Sequence, residues 1–375
     1  MELPYSYHTF IFPFIWTNDQ KSFRRISPGQ YWHPTNWDEE VIPHHTTEDN
    51  NDKYLQDYAS FQYFNRHARN LIFGIGKDSL VHNYEFKLDG NQDEKDIIGE
   101  YVIKHGKEKF VLAVRGIKLK LVNNGIGILY FQLEYYGDKY IDEKKESGYD
   151  IKDVNKINEY GRRINLPFIL KRNGDAQENS HPVVADSIEL DLHVKEDLEL
   201  VQDFKELNQK YLKGDKKPAL IYIPPFIKNL LNLDGISPAL DDRMFVCCLV
   251  RDDSLSKSIK GENGEYNYLS QCYDRSKESI SNVLYAFAFI EENLTCQNIN
   301  MKRSILKKSI YARWIDYGTI HGVTHHSLIC VTGEDKDLET YVIAPFVTQY
   351  VQMAILALLQ RVSLLKFSKL AGDTA

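Results

Sequence analysis

Two groups of side chains in this sequence have the types and spacing to hold a ligand: Arg162-Arg163 and Asp241-Asp242-Arg243. Two adjacent guanidiniums can form a forked anion grip, because arginine presents planar donors that match phosphate or carboxylate. Asp241 or Asp242 would then accept from ribose hydroxyls or an amine, and Arg243 stands just before an apolar run that reads as a buried strand. Strand ends of that kind often line ligand crevices in α/β sheets. A third constellation is Arg313-Trp314-Ile315-Asp316-Tyr317-Gly318-Thr319. Its aromatic faces and charged donors suit a base and a phosphate. Each group also has a blander account. The arginine pair can complement the negative end of a helix dipole, the acidic pair can be a solvated cluster, and Trp314 can pack in a core with Arg313 paired to Asp316.

Other motifs carry less. Gly74-Ile75-Gly76-Lys77 lacks the glycine five residues before Gly76 and the hydroxyl residue after Lys77 that a phosphate loop needs, so it reads as a turn. His44-His45 and His321, His325 and His326 cluster in sequence, and His321-x-x-x-His325 has the spacing of zinc ligands on a helix. The intervening Gly322-Val323-Thr324 suits a turn or strand instead, and structural histidines are the better expectation. A metal-dependent hydrolase using Asp241, Asp242 and these histidines is the alternative function. The five cysteines (247, 248, 272, 296 and 330) form no CxxC pair, which argues against a disulfide framework or a structural zinc site and for a reducing cytosol.

These residues need a scaffold, and 375 residues supply one large domain or two ordinary ones. The apolar fraction of 43% and charged fraction of 26% are those of a globular protein. A net charge of −7 argues against broad nucleic-acid binding but allows a pocket for one nucleotide. The opening ELPYSYHTFIFPFIW lacks the basic region of a secretory signal. Alternation and β-branched or aromatic content predict strands at Tyr7–Trp16, Val81–Leu88, Tyr101–His105, Phe110–Leu121, Gly127–Tyr136 and Ser187–Leu192. Asn123-Asn124-Gly125 predicts a hairpin with a primed turn. The run Met244–Val250 reads as a strand buried on both faces. Further strands are expected at Leu220–Ile223, Val283–Ile290, Ser309–Ile315 and His326–Thr332. Helices are expected at Tyr54–Phe73, at Asp150–Ile164 with Asp150 as cap, and at Glu196–Leu212. The fold class is therefore α/β (α+β), a mixed sheet flanked by helices. Residues 1–338 form the body, with a possible sub-boundary near 147, and residues 339–375 form a stalk-like helix.

That last helix is expected from Phe346 to Leu370, opening after Pro345. It is apolar on nearly every side, whereas an ordinary surface helix has one polar face. Thr340–Gln360 carries no charge and is long enough to span a membrane. Its internal glutamines and threonines, and the following Arg361, Lys366 and Lys369, favour instead a helix covered by protein on several sides. This points to an oligomeric assembly or a link toward a membrane.

Tyr311–Gly333 (YARWIDYGTIHGVTHHSLICVTG) and the aromatic helix with Gln360-Arg361 resemble divergent CorA-like metal-ion transporters. Glu159–Ile169 (EYGRRINLPFI) and Asp241–Val246 (DDRMFV) add to the resemblance, which covers roughly a third of the chain. Some proteins of that branch accompany type III CRISPR systems in antiviral defence. They resemble sensors of nucleotide second messengers, either an adenosylmethionine–AMP conjugate or a cyclic oligoadenylate. The resemblance implies a cytosolic sensing and gating domain, a stalk helix, two membrane spans and a pentamer at the cytoplasmic face of the inner membrane. No cofactor is implied within this chain, although a divalent cation such as magnesium is implied for the full-length transporter. Direct DNA or RNA binding is not implied. This sequence departs from the family by having no Gly-Met-Asn triplet and no pair of spans. It would be the cytosolic portion, or a soluble magnesium-transporter domain without a nucleotide ligand. Ligand contacts would come from Arg162, Arg163, Asp241, Asp242, Arg243, Arg313, Trp314 and Thr319.

Overall fold

The computed structural model describes residues 3–16, 31–37, 59–76, 79–88, 97–146, 148, 150–164, 185–194, 200–207, 223–231, 233, 235–240, 243–260, 266–274, 276, 278–291, 296 and 298–374. The strands are β1 (Ser6–Ile15), β2 (Trp32–Pro34), β3 (Val81–Phe86), β4 (Gly99–His105), β5 (Glu108–Val122), β6 (Ile126–Tyr135), β7 (Lys139–Ile141) and β8 (Lys144–Glu146). They continue with β9 (Ser187–Leu192), β10 (Val201–Asp203), β11 (Ser237–Pro238), β12 (Phe245–Arg251), β13 (Ile310–Tyr311), β14 (Ile320–Val323) and β15 (Ser327–Thr332). All belong to one mixed sheet whose spine runs β10-β9-β4-β5-β6-β1-β12-β15-β14-β13. Strands from both sides of residue 147 share it, since β1 lies between β6 and β12 and β4 pairs with β9. The β12–β15 pair is parallel.

Residue alternation explains how the sheet is buried twice. On β12, Val246, Cys248 and Val250 face one core while Cys247 and Leu249 face the other. On β1, Phe10, Phe12 and Phe14 face the first and Ile11 the second. The first core is covered by α1 (Ile151–Gly161), α2 (Pro225–Leu231), α3 (Asp253–Ile259), α4 (Ile280–Phe289) and α5 (Ile299–Ser309), which contribute Val154, Phe226, Ile259, Leu284 and Leu306. The second core is covered by the terminal helix.

Local chemistry accounts for several element ends. The Asp150 side chain accepts from Lys152 N and starts α1, as the sequence leads one to expect. Pro13 lies inside β1 but beyond Ile11, the last residue paired with β12, so its missing N–H leaves no rung of that ladder unmade. The β5–β6 hairpin closes over three residues. Only Gly125 takes positive φ (+78°), so this is not the primed two-residue turn expected from Asn-Gly.

Four further expectations are corrected. Val283–Ile290 is helical, not extended: Ser279 caps α4, which is apolar all round because it is buried all round. Ser309–Ile315 gives only the two-residue β13 before a tight turn. Within Glu196–Leu212, residues 201–203 form β10, because pairing with β9 at the sheet edge overrides local helix preference, while 204–207 are helical as expected and 196–199 and 208–212 lie outside the described residues. The helix expected over Tyr54–Phe73 is interrupted at Asn65, whose side chain caps a new helix, Arg66–Phe73. Of the strand expected over Leu220–Ile223, residues 220–222 lie outside the described residues.

The terminal helix begins earlier than Pro345 predicts. Two π-helical turns, Glu339–Ile343 and Phe346–Tyr350, flank the proline, and Val351–Thr374 continues as α-helix. A proline within a helix removes one backbone donor and clashes with the preceding turn. Wider π turns are one way to absorb that. Phe346, Val351, Ile355, Leu358 and Val362 bury against Ile11, Ile128, Cys247 and Cys330. Each such side chain contributes about 1.5–3 kcal/mol. Past Val362 the helix stays exposed, with Leu364, Phe367 and Leu370 in solvent. By length and composition this is the one helix among the described residues able to cross a membrane, and it is part-buried.

Candidate functional site

Arg162 and Arg163 leave the C-terminal end of α1 where the chain meets the start of β12. Met244 N donates to Arg162 O at 2.8 Å, and Arg163 and Arg243 form a single antiparallel bridge. Three of the expected ligand residues, Arg162, Arg163 and Arg243, are thus brought together at one end of the strands. The carboxylate beside them is Glu159, one turn back on α1. It accepts from Arg162 Nη2 at 3.0 Å and from Arg163 Nη2 at 2.8 Å.

Arg162 is only 1% exposed. Its Nη2 also donates to Ile290 O at 3.1 Å, yet Nε and Nη1 have no hydrogen-bond partner among the described residues. Burial pushes its pKa down to about 10, and the charges of Arg243 and Arg163 push the same way against the pull of Glu159. Buried unpartnered donors cost about 1–3 kcal/mol each.

Arg243 opens onto a pocket of about 220 Å³ at the junction of the sheet and the terminal helix. His325 and His326, in the turn before β15, line it together with Phe245. Arg361 and Leu365 line it from one face of the terminal helix. No acidic side chain lines it among the described residues.

Arg313, Trp314 and Thr319 lie elsewhere. They occupy the β13–β14 turn, at the opposite end of β15 from Arg243 and His326. The six residues of β15 separate the two ends by roughly 17 Å. Thr319 is buried and its hydroxyl is 2.8 Å from that of Thr332, so it has no face toward a ligand. Trp314 is 44% exposed, with Arg313 stacked over its ring at 5.0 Å and Tyr317 beside it. It does not enter the core. Asp241 and Asp242 lie outside the described residues, as do His44 and His45.

The histidines do not converge. His321 packs its ring against Phe346 and Tyr350 of the terminal helix, at 6.5 and 5.5 Å between centroids, and burial pushes its pKa down to about 4. His325 is exposed in the turn. Among the described residues no three His, Cys, Asp or Glu side chains are grouped as a metal would need. The cysteines in the sheet are buried and reduced, with thiols pushed up by burial.

Two buried polar groups are not legible in the sequence. His8 accepts from Ser6 Oγ at Nε2 and donates from Nδ1 to Asn158 Oδ1, both at 2.8 Å. The order hydroxyl, imidazole, amide is that of a nucleophile relay, but Ser6 and His8 are wholly buried in the central strand, so no substrate reaches them. Lys120 donates to Ile72 O and Asn83 Oδ1, and burial lowers its pKa to about 7. It fastens the end of the Arg66–Phe73 helix to β3. Alternation sets Lys120 with Lys118 on the face opposite the buried Leu119 and Leu121, so the sequence pattern reads it as solvent-facing.

Comparison of the chain with protein-family models, curated proteins and solved structures finds no match.

Proposed function

We propose that this chain is a ligand-sensing domain that binds a phosphate-bearing small molecule at the Arg162–Arg163–Arg243 cluster and reports it through the terminal helix. The observation that carries this is the opening that Arg243 lines together with His325, His326 and Arg361, with no acidic side chain in its described lining. Arg162 and Arg163 stand behind it, held by Glu159, and add positive charge to the cluster. The adjoining pocket is smaller than the roughly 300–1,000 Å³ typical of drug-sized ligands. It therefore suits the anionic part of a ligand whose remainder lies outside. The family resemblance makes that ligand a nucleotide second messenger, an adenosylmethionine–AMP conjugate or a cyclic oligoadenylate. On the same resemblance the chain is the cytosolic gating part of a homo-pentameric CorA-like channel at the inner membrane, acting in antiviral defence. The exposed apolar end of the terminal helix fits a neighbouring copy. No catalytic step is assigned.

Isothermal titration with both adenylates and with pyrophosphate tests the assignment. Arg243→Ala, at the half-buried mouth of the cluster, should weaken binding at least tenfold, the low end for one charge-assisted hydrogen bond. Absence of heat with all three compounds, or unchanged affinity in Arg243→Ala, would remove the cluster as the ligand site.

A further inference from the structure

The pocket beside Arg243 has one wall that belongs to the body and one that belongs to the terminal helix. Arg361 and Leu365 are four residues apart, hence on one helix face, and both line it. Arg361 is exposed and makes no hydrogen bond or ion pair among the described residues. It lies next to Val362, the last side chain buried against the sheet. Beyond it the helix has one polar tie among the described residues, Lys366 Nζ donating to Asn124 O in the β5–β6 turn. Thus Arg361 stands at the point where the helix leaves its own sheet, sharing with a second guanidinium a pocket whose described lining has no acidic group.

Two cations that line one opening attract an anion into it. We propose that a phosphoryl group or similar small polyanion bridges Arg243 and Arg361, and that its binding fastens the outer part of the terminal helix to the sheet. His325 and His326, on the turn before β15, supply further ring nitrogens at the same opening. This rests on the anion-sensing assignment above and adds its regulatory output: the bound anion changes how residues 361–372 are held, the segment carrying exposed Leu364, Phe367 and Leu370. A ligand shifts such an equilibrium only by its differential affinity for the two arrangements. Here that difference is the contact with Arg361, which exists only when the helix is docked.

Hydrogen–deuterium exchange of the full chain with and without pyrophosphate, at matched ionic strength, reads the helix directly. In the wild type, pyrophosphate should slow exchange over residues 361–372. Arg361→Gln should abolish that protection and bind pyrophosphate about tenfold more weakly, and Arg361→Lys should fall between. Arg361 is exposed, so neither variant disturbs the core. If Arg361→Gln binds with wild-type affinity or keeps the protection, the bridge is wrong while the arginine cluster stands. If pyrophosphate neither binds nor protects the wild type, both the bridge and the cluster assignment fall.

Discussion

Glu159 holds two guanidiniums with one carboxylate in a site closed to solvent, and removing one member of a buried ion pair leaves the other uncompensated. Glu159→Gln should therefore lower stability by about 3 kcal/mol in urea unfolding. A loss within about 0.5 kcal/mol would show the arginines to be hydrated rather than paired. His8 gives a pH signature. Burial holds its folded pKa near 4, below the ordinary value of 6.5, so the unfolded chain binds the extra proton between those limits. Stability is thus full above about pH 6.5 and falls toward pH 4, by up to about 1.4 kcal/mol per pH unit. His321, depressed by the same cause, adds to the slope. His8→Gln should flatten the acid limb of urea midpoints measured between pH 7 and 4.5. An unchanged limb would mean that His8 takes up its proton at the same pH in the folded and unfolded chains. Of the site, the arginines are legible in the sequence because adjacency and residue type are local. Glu159 and Arg361 do not stand out there, since what makes them matter is contact across the β12 start and the helix docking.

The terminal helix divides at Val362 into a docked part and a free part. Ile355→Ala, in the buried part, should cost about 2–5 kcal/mol, whereas Phe367→Ala, at 67% exposure, should stay within about 0.5 kcal/mol. Equal costs in chemical denaturation would mean that the two parts pack alike. Strands with alternating or doubly buried patterns are readable because the sheet period is local: Ser187–Leu192 is a strand over the same residues, and Met244–Val250 differs from β12 by one residue at each end. The apolar run of α4 reads as a strand because a short buried helix and a buried strand share one composition. Its Ser279 cap and length are the signal to weigh. Pro345 reads as a helix start, a rule the π turns on either side evade.

At the scale of the whole molecule, helices cover one face of the sheet, and the terminal helix covers the other with the Arg66–Phe73 helix beside it. The exposed Leu364, Leu365, Phe367 and Leu370 are then the surface on which the proposed copies would meet. Analytical ultracentrifugation should find the wild type larger than a monomer, and Phe367→Glu with Leu370→Glu should shift it toward one. A wild type that sediments as a monomer at micromolar concentration would count against that assembly.

Ile11 and its register partner Phe245 are 234 positions apart, whichever strands lie between. At ribosomal speeds of about 5–20 residues per second, β1 waits roughly ten to fifty seconds for its second neighbour. During that time an aromatic, β-branched ribbon presents a bare hydrogen-bonding rim to other nascent chains, the template that aggregation exploits. Pro13, two residues past Ile11, bounds that rim, because it carries no N–H to extend it. Replacing it would first appear as lost soluble yield.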